Sequence, residues 1–199
     1  MKWVEHVRDN KCSIIQSLNG RLTALKKVAK VANFKTRLSV ANGIFMSKLN
    51  FMMPLWAGCP DYLINGLQVC QNDAARIITK HDRAMPVKQL LKECGWRSVR
   101  QEMFYHTALL VHKIMSKKSP QYLYSTITAD GSYGYDTRSS SFSSIRRGAS
   151  FRTGLTLCTE SFKWRGVAAY ETIPASLRKI ESIKLFKKEL DSWVKKNIN

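Results

Sequence analysis

The side chains with most chemical potential in this sequence are cations. There are 33 Lys plus Arg against 14 Asp plus Glu, a formal net charge of +19 over 199 residues. A chain this basic repels itself unless a polyanion offsets the charge. Nucleic acid is the first partner this implies, an anionic membrane the second, and a basic but inert surface the plain alternative. Arg21, Lys26, Lys27 and Lys30 share the polar face of a first helical stretch, and Arg76 and Lys80 end a later one. Each is a candidate phosphate contact. Each also reads as a solvated face, and Arg76 and Lys80 suit the negative end of a helix dipole. Arg138, Arg146, Arg147 and Arg152 form a further set, interleaved with Tyr133, Tyr135, Phe142 and Phe151. Arginine among aromatics suits single-stranded nucleic acid, because bases stack and phosphates pair. Tyr135 and Phe142 are the candidate stacking residues. A solvated loop that docks a few aromatics has the same composition.

Catalytic chemistry is harder to find. Phosphoryl transfer on nucleic acid needs clustered carboxylates to hold two metal ions about 4 Å apart. The seven aspartates are scattered, and no Asp-Asp or Glu-Asp pair occurs. There is no GxxxxGKS loop, no HExxH and no GxSxG elbow. The five cysteines, Cys12, Cys59, Cys70, Cys94 and Cys158, are odd in number and widely spaced, with no CxxC. They read as free thiols in a reducing compartment. His106 and His112 lie six apart and face different ways on a helix. Neither has a second ligand at i+3 or i+4, and His106 is expected in the core. No catalytic residue, metal ligand or cofactor is therefore expected. The N-terminus is no signal peptide, and no apolar run approaches a membrane span. The reading is an intracellular protein, nucleus or cytoplasm unresolved, with no membrane partner.

The elements that position these residues are helical. Ile15, Leu18, Leu22, Leu25 and Ala29 form one stripe, which Asn19-Gly20 is expected to kink or split. Leu38, Ala41, Phe45, Leu49 and Met52 form a second. Gly43 there allows close helix approach, Pro54 limits the helix, and the methionines fill core. A helix from Pro60 buries Leu63, Leu67, Cys70, Ala74 and Ile77. Pro86–Leu91 is a short helix stopped by Gly95. Ser98-Val99-Arg100-Gln101 is a capping box, after which Val99, Met103, His106, Leu110 and Ile114 line one face. Residues 127–160, rich in Ser, Gly, Thr and Tyr, read as a long irregular insert. Phe162, Trp164, Val167 and Tyr170 pack the next helix. Pro174 breaks it or starts a turn. Ser182 caps a last helix with Ile183, Phe186, Leu190 and Val194 inside and Lys184, Lys187, Lys188, Lys195 and Lys196 outside. No internal repeat is visible. The expectation is an all-α chain of about six or seven helices in three parts: 1–126 helical, 127–160 irregular and 161–199 helical.

A series of short stretches adds a resemblance. They are Lys2-Trp3-Val4-Glu5-His6-Val7, Phe34-Lys35-Thr36-Arg37 with Ala41-Asn42-Gly43-Ile44-Phe45, and Pro54-Leu55-Trp56-Ala57-Gly58-Cys59. Leu67-Gln68-Val69-Cys70-Gln71-Asn72-Asp73-Ala74-Ala75-Arg76, Cys94-Gly95-Trp96-Arg97-Ser98-Val99 and Pro120-Gln121-Tyr122-Leu123 follow. The last are Tyr135-Asp136-Thr137-Arg138, Ser161-Phe162-Lys163-Trp164-Arg165 and Ile173-Pro174-Ala175-Ser176-Leu177-Arg178. In this order, over nearly the whole chain, they resemble the C-terminal part of Jockey-like non-LTR retrotransposon reverse transcriptases of animal genomes. One departure is Tyr170-Glu171-Thr172-Ile173-Pro174, where that family usually shows Trp-Asn before Leu-Pro.

The resemblance implies a helical thumb and a C-terminal extension that grip primer-template by its backbone. The matching pieces bring Lys35, Arg37, Lys163 and Arg165 among the candidate phosphate contacts. The family's aromatic-x-Asp-Asp motif has no counterpart, and Tyr135-Asp136-Thr137 is not that motif. The expectation is a non-catalytic nucleic-acid-binding fragment that starts, truncated, at Met1 and partners the rest of a reverse transcriptase polypeptide. The alternative is a helical protein–protein or structural module with incidental charge. With no carboxylate pair for two metals, the chain should give no primer extension with template, dNTPs and Mg²⁺ or Mn²⁺. Extension that copurifies with the chain through successive columns contradicts this.

Overall fold

The computed structural model describes residues 14–51, 53–56, 59–128 and 162–198, with only the backbone for Trp56, Thr126, Thr128, Lys163 and Trp164. The fold is all-α: among the described residues there are helices and connections and no strand. The irregular insert expected at 127–160 starts no earlier than the end of a helix at Thr128, and its remainder lies outside the described residues. The helices are α1 (Ile14–Val31), α2, α3 (Met53–Trp56), α4 (Asp61–Thr79), α5 (Val87–Cys94), α6 (Val99–Lys117), α7 (Gln121–Thr128), α8 (Phe162–Glu171), α9 (Ala175–Arg178) and α10 (Ile183–Asn197). Helix α2 runs through Phe34–Ala41, a π turn at Asn42–Met46, and Ser47–Leu49. Ten helices thus stand among the described residues, where six or seven were expected of the chain. The additional ones are short, and each has a proline at or next to its first residue, where a fixed φ suits the first turn. Pro54 lies inside α3 rather than ending a helix, Pro120 precedes α7, and Pro174 precedes α9.

The chain divides into two compact units, one of Met1–Met53 with Cys59–Glu102, the other of Pro54–Gly58 with Met103–Asn199. In the first, α1 packs chiefly on α4, and α4 on α5. Leu18, Leu25, Phe45, Leu49, Leu67, Ile78 and Leu90 are fully buried there. Helix α1 runs through Asn19-Gly20 without a break. The glycine costs about 1 kcal/mol, less than its buried leucines contribute at about 1.5–3 kcal/mol each. Close approach occurs at Gly66, not Gly43. A Cβ on Gly66 would lie 3.1 Å from Ile15 Cδ1, whereas one on Gly43 would meet nothing within 4 Å. In α4 the stripe ends on Ile78, fully buried, and not on Ile77, which is half-buried.

Within α2 Leu38 is half-buried while Ala41, Phe45, Met46 and Leu49 are buried; Met52, expected on the same stripe, lies outside the described residues. The π turn lies inside this buried run. It is pinned from outside: Trp96 Nε1 donates to Asn42 Oδ1 at 2.8 Å, and Arg21 Nη1 donates to the Ile44 carbonyl. The capping box at Ser98 forms, with Gln101 N–H on Ser98 Oγ at 3.3 Å and Ser98 N–H on Gln101 Oε1 at 3.0 Å. Two glutamines of α4 support it. Gln68 Oε1 accepts from Val99 N–H and Gln71 Nε2 donates to the Arg97 carbonyl, each at 2.8 Å. Gly95, at φ 68°, supplies the left-handed stop after α5. Burial pushes the Cys94 thiol up to about 11, with Glu93 adding to it, and raises Cys70 too, helped by Asp73. Both stay protonated and inert at neutral pH.

In the second unit Phe186, Leu190 and Val194 of α10 pack with Val111, Ile114, Ile127, Val167 and Ile173. The five lysines expected outside α10 are exposed. Helix α6 is buried on more than one side, with Thr107, Ala108, Leu109, Val111 and His112 all buried. A single stripe therefore does not describe it. His106 and Leu110 are half-buried, and the core histidine is His112. Its ring stacks on Phe186 with centroids 3.6 Å apart, and its Nδ1 lies 3.0 Å from the Tyr170 hydroxyl. Burial lowers the His112 pKa from 6.5. The unfolded chain then binds this proton more readily, so stability is full above about pH 6.5 and falls as pH drops below it. His112→Gln should flatten the loss of melting temperature between pH 7 and pH 5. An unchanged pH dependence in that variant contradicts the assignment.

Candidate nucleic-acid interface

Four cations of the first unit surround one surface cleft of about 390 Å³. Helix α1 supplies Lys26 and Lys30, one turn apart. The end of α4 supplies Arg76 and Lys80, again four apart; Ala29, Ile77 and His81 complete the lining. The packing of α1 on α4 brings these two short series together, since each buries the opposite stripe. Lys26, Lys30 and Lys80 are exposed, and Arg76 is half-buried. Arg76 Nη1 lies 3.5 Å from Asp73 Oδ1, while its buried Nε has no hydrogen-bond partner among the described residues. Protein groups therefore leave this guanidinium incompletely satisfied. His81 Nε2 lies 3.1 Å from Glu93 Oε2. Two carboxylates thus approach the cleft, and each already has a partner.

Lys80 holds its place at a conformational cost. It ends α4 at φ 60° and ψ 24°, the left-handed region where glycine is the usual residue. A side chain there costs about 1 kcal/mol. The charge suits the end of the helix dipole, but the backbone conformation favours a residue without a side chain.

The other expected contacts are distributed differently. Arg37 is a correction: it is buried and faces protein, not solvent. Its Nε donates to the Ile78 carbonyl at 2.7 Å and its Nη1 to the Ala32 carbonyl at 2.8 Å. Both acceptors lie at helix C-termini, where a cation suits the dipole. Arg21 is half-buried and spent on the π turn. Lys27 and Lys35 are exposed but do not line the cleft. Arg165 is half-buried in α8 of the second unit. Arg138, Arg146, Arg147, Arg152, Tyr135, Phe142 and the side chain of Lys163 lie outside the described residues.

Sequence reasoning missed His81 as a lining residue, because its position follows from the reversal at Lys80. Among the described residues no group of three His, Cys, Asp or Glu could hold a metal ion, and no helix is long and apolar enough to cross a membrane. No family model, curated protein or solved structure matches the chain. Lys80→Gly should raise the unfolding free energy by about 1 kcal/mol in a denaturant titration. A loss of that size contradicts the strain assigned to this position.

Proposed function

We propose that the chain is a non-catalytic nucleic-acid-binding module that takes phosphate backbone into the cleft between α1 and α4. In this reading it is the thumb and C-terminal extension of a Jockey-like non-LTR retrotransposon reverse transcriptase, whose catalysis resides in a separate palm. The observation that carries the binding reading is the convergence of Lys26, Lys30, Arg76 and Lys80 on one cleft. Grouped cations repel one another in the free protein and are relieved by a polyanion. Flexible lysines offer point charges, and the guanidinium can address two oxygens of one phosphate. Backbone contacts of this kind carry no base information, so sequence should matter little.

The test is fluorescence anisotropy of a labelled duplex at several salt concentrations. Counterion release gives a log–log slope of about 0.9 per neutralised phosphate. Replacing Lys26 and Lys30 together by alanine should lower the affinity and flatten the slope by roughly two phosphates. The Lys184→Ala/Lys187→Ala pair on α10 should change the slope by less than one. A slope near zero for the unaltered chain, or no flattening without Lys26 and Lys30, contradicts the proposal.

A further inference from the structure

The cleft has an apolar neighbour that its cations do not explain. Val31 is 91 % exposed and Phe34 is 42 % exposed, on either side of the turn between α1 and α2. Single exposed hydrophobics are common on protein surfaces and need no explanation. Here two of them flank one short turn that is fixed in place. Asn33 caps α2 by accepting the Thr36 N–H at 2.9 Å. The Arg37 guanidinium fastens the Ala32 carbonyl to that of Ile78. Ala32 comes two residues after Lys30, and Ile78 two before Lys80, so the turn stands beside the cleft where both lysines line it. Sites that hold single strands without sequence preference join a cationic groove to side chains on which bases lie. A cationic cleft next to an exposed aromatic and an exposed aliphatic side chain has that make-up.

We infer that the Val31–Phe34 turn is a base-contacting rim of the cleft. The cleft then takes a strand whose bases are unpaired at this point, a single strand or the opened end of a duplex. Phosphates sit on Lys26, Lys30, Arg76 and Lys80, one base stacks on Phe34, and Val31 packs beside it. Charge complementarity selects the strand, and the rim selects for unpaired bases. The inference rests on the cleft's holding phosphate, and the two fail in different ways.

The experiment compares a fluorescein-labelled thymidine oligonucleotide with an abasic strand of equal length, both titrated with the full chain. The thymidine strand should bind about five-fold or more tightly, the smallest factor one stacked base supplies. Val31→Ser/Phe34→Ala should bring it down to the abasic level with an unchanged salt slope, and Phe34→Trp should preserve the difference. Circular dichroism checks that the variants are folded. Should the double variant unfold, Val31→Ser alone gives a smaller loss in the same direction. Equal binding of the two strands, or a folded double variant that binds thymidine as before, overturns the inference. In a parallel sedimentation of the same chains with phosphatidylserine vesicles, loss of vesicle binding in the folded double variant without loss of thymidine binding assigns the turn to a membrane surface and overturns it too. No binding of either strand at low salt instead removes the phosphate reading beneath it.

Discussion

The buried guanidinium of Arg37 is the interaction on which the arrangement of the first unit depends. A buried charge is tolerated only when its donors are used. Arg37 spends two of them on the carbonyls of Ala32 and Ile78, which follow or end the two helices that flank the cleft. Hydrogen bonds to a charged group contribute about 1.5–3 kcal/mol each. Losing the guanidinium would also leave two carbonyls short of a donor. The same bonds fix the exit of α1 against the last turn of α4. Lys30 and Lys80 then share a cleft instead of facing water on separate helices. A residue that resembles a phosphate contact in the sequence thus helps to build the cleft without lining it.

Around this clamp the unit gives up stability for charge. Lys80 sits in a left-handed conformation, Arg76 keeps a buried Nε without a partner, and four cations crowd one cleft. Each is unfavourable in the free protein; the proposed polyanion would offset the mutual repulsion of the cations, not the backbone cost at Lys80 or the buried Nε of Arg76. Arg76 is not alone in this, since Asn50 Oδ1 and Arg97 Nε of the same unit are also buried without a hydrogen-bond partner among the described residues. Gln68, Gln71, Ser98 and Gln101 form a connected set at the start of α6, and Trp96 with Arg21 pins the π turn of α2. The grouping of four cations, not unspent hydrogen bonds, marks the cleft apart from that scaffold.

Local signals were read correctly from the sequence, and those that depend on a neighbour were not. The capping box at Ser98 and the left-handed Gly95 follow from residue type alone. The stripes of α1, α4 and α10 follow from spacing except at one end of each, because each helix buries one side. Ile15, Ile77 and Ile183 are half-buried, and Ile14 and Ile78 are the buried residues beside the first two. Helix α6 buries more than one, so the single-stripe reading put His106 in the core in place of His112. The π turn was invisible because its partners are distant in sequence, Arg21 on α1 and Trp96 in the connection after α5. Gly43 and Gly66 look alike in sequence, yet only Gly66 meets a neighbouring helix. All four cleft cations were legible as separate candidates. Their convergence depends on the packing of α1 on α4, and so does the removal of Arg37 from the set.

The central claim is that one face, not total charge, holds the polyanion. Lysine acetylation by a brief pulse of acetic anhydride, read by peptide mass spectrometry with and without a saturating duplex, separates the two. The account predicts that Lys26, Lys30 and Lys80 are protected on binding while Lys184, Lys187 and Lys188 of α10, also exposed in the free chain, react as before. Uniform protection of all six, or protection of the α10 lysines alone, would contradict it.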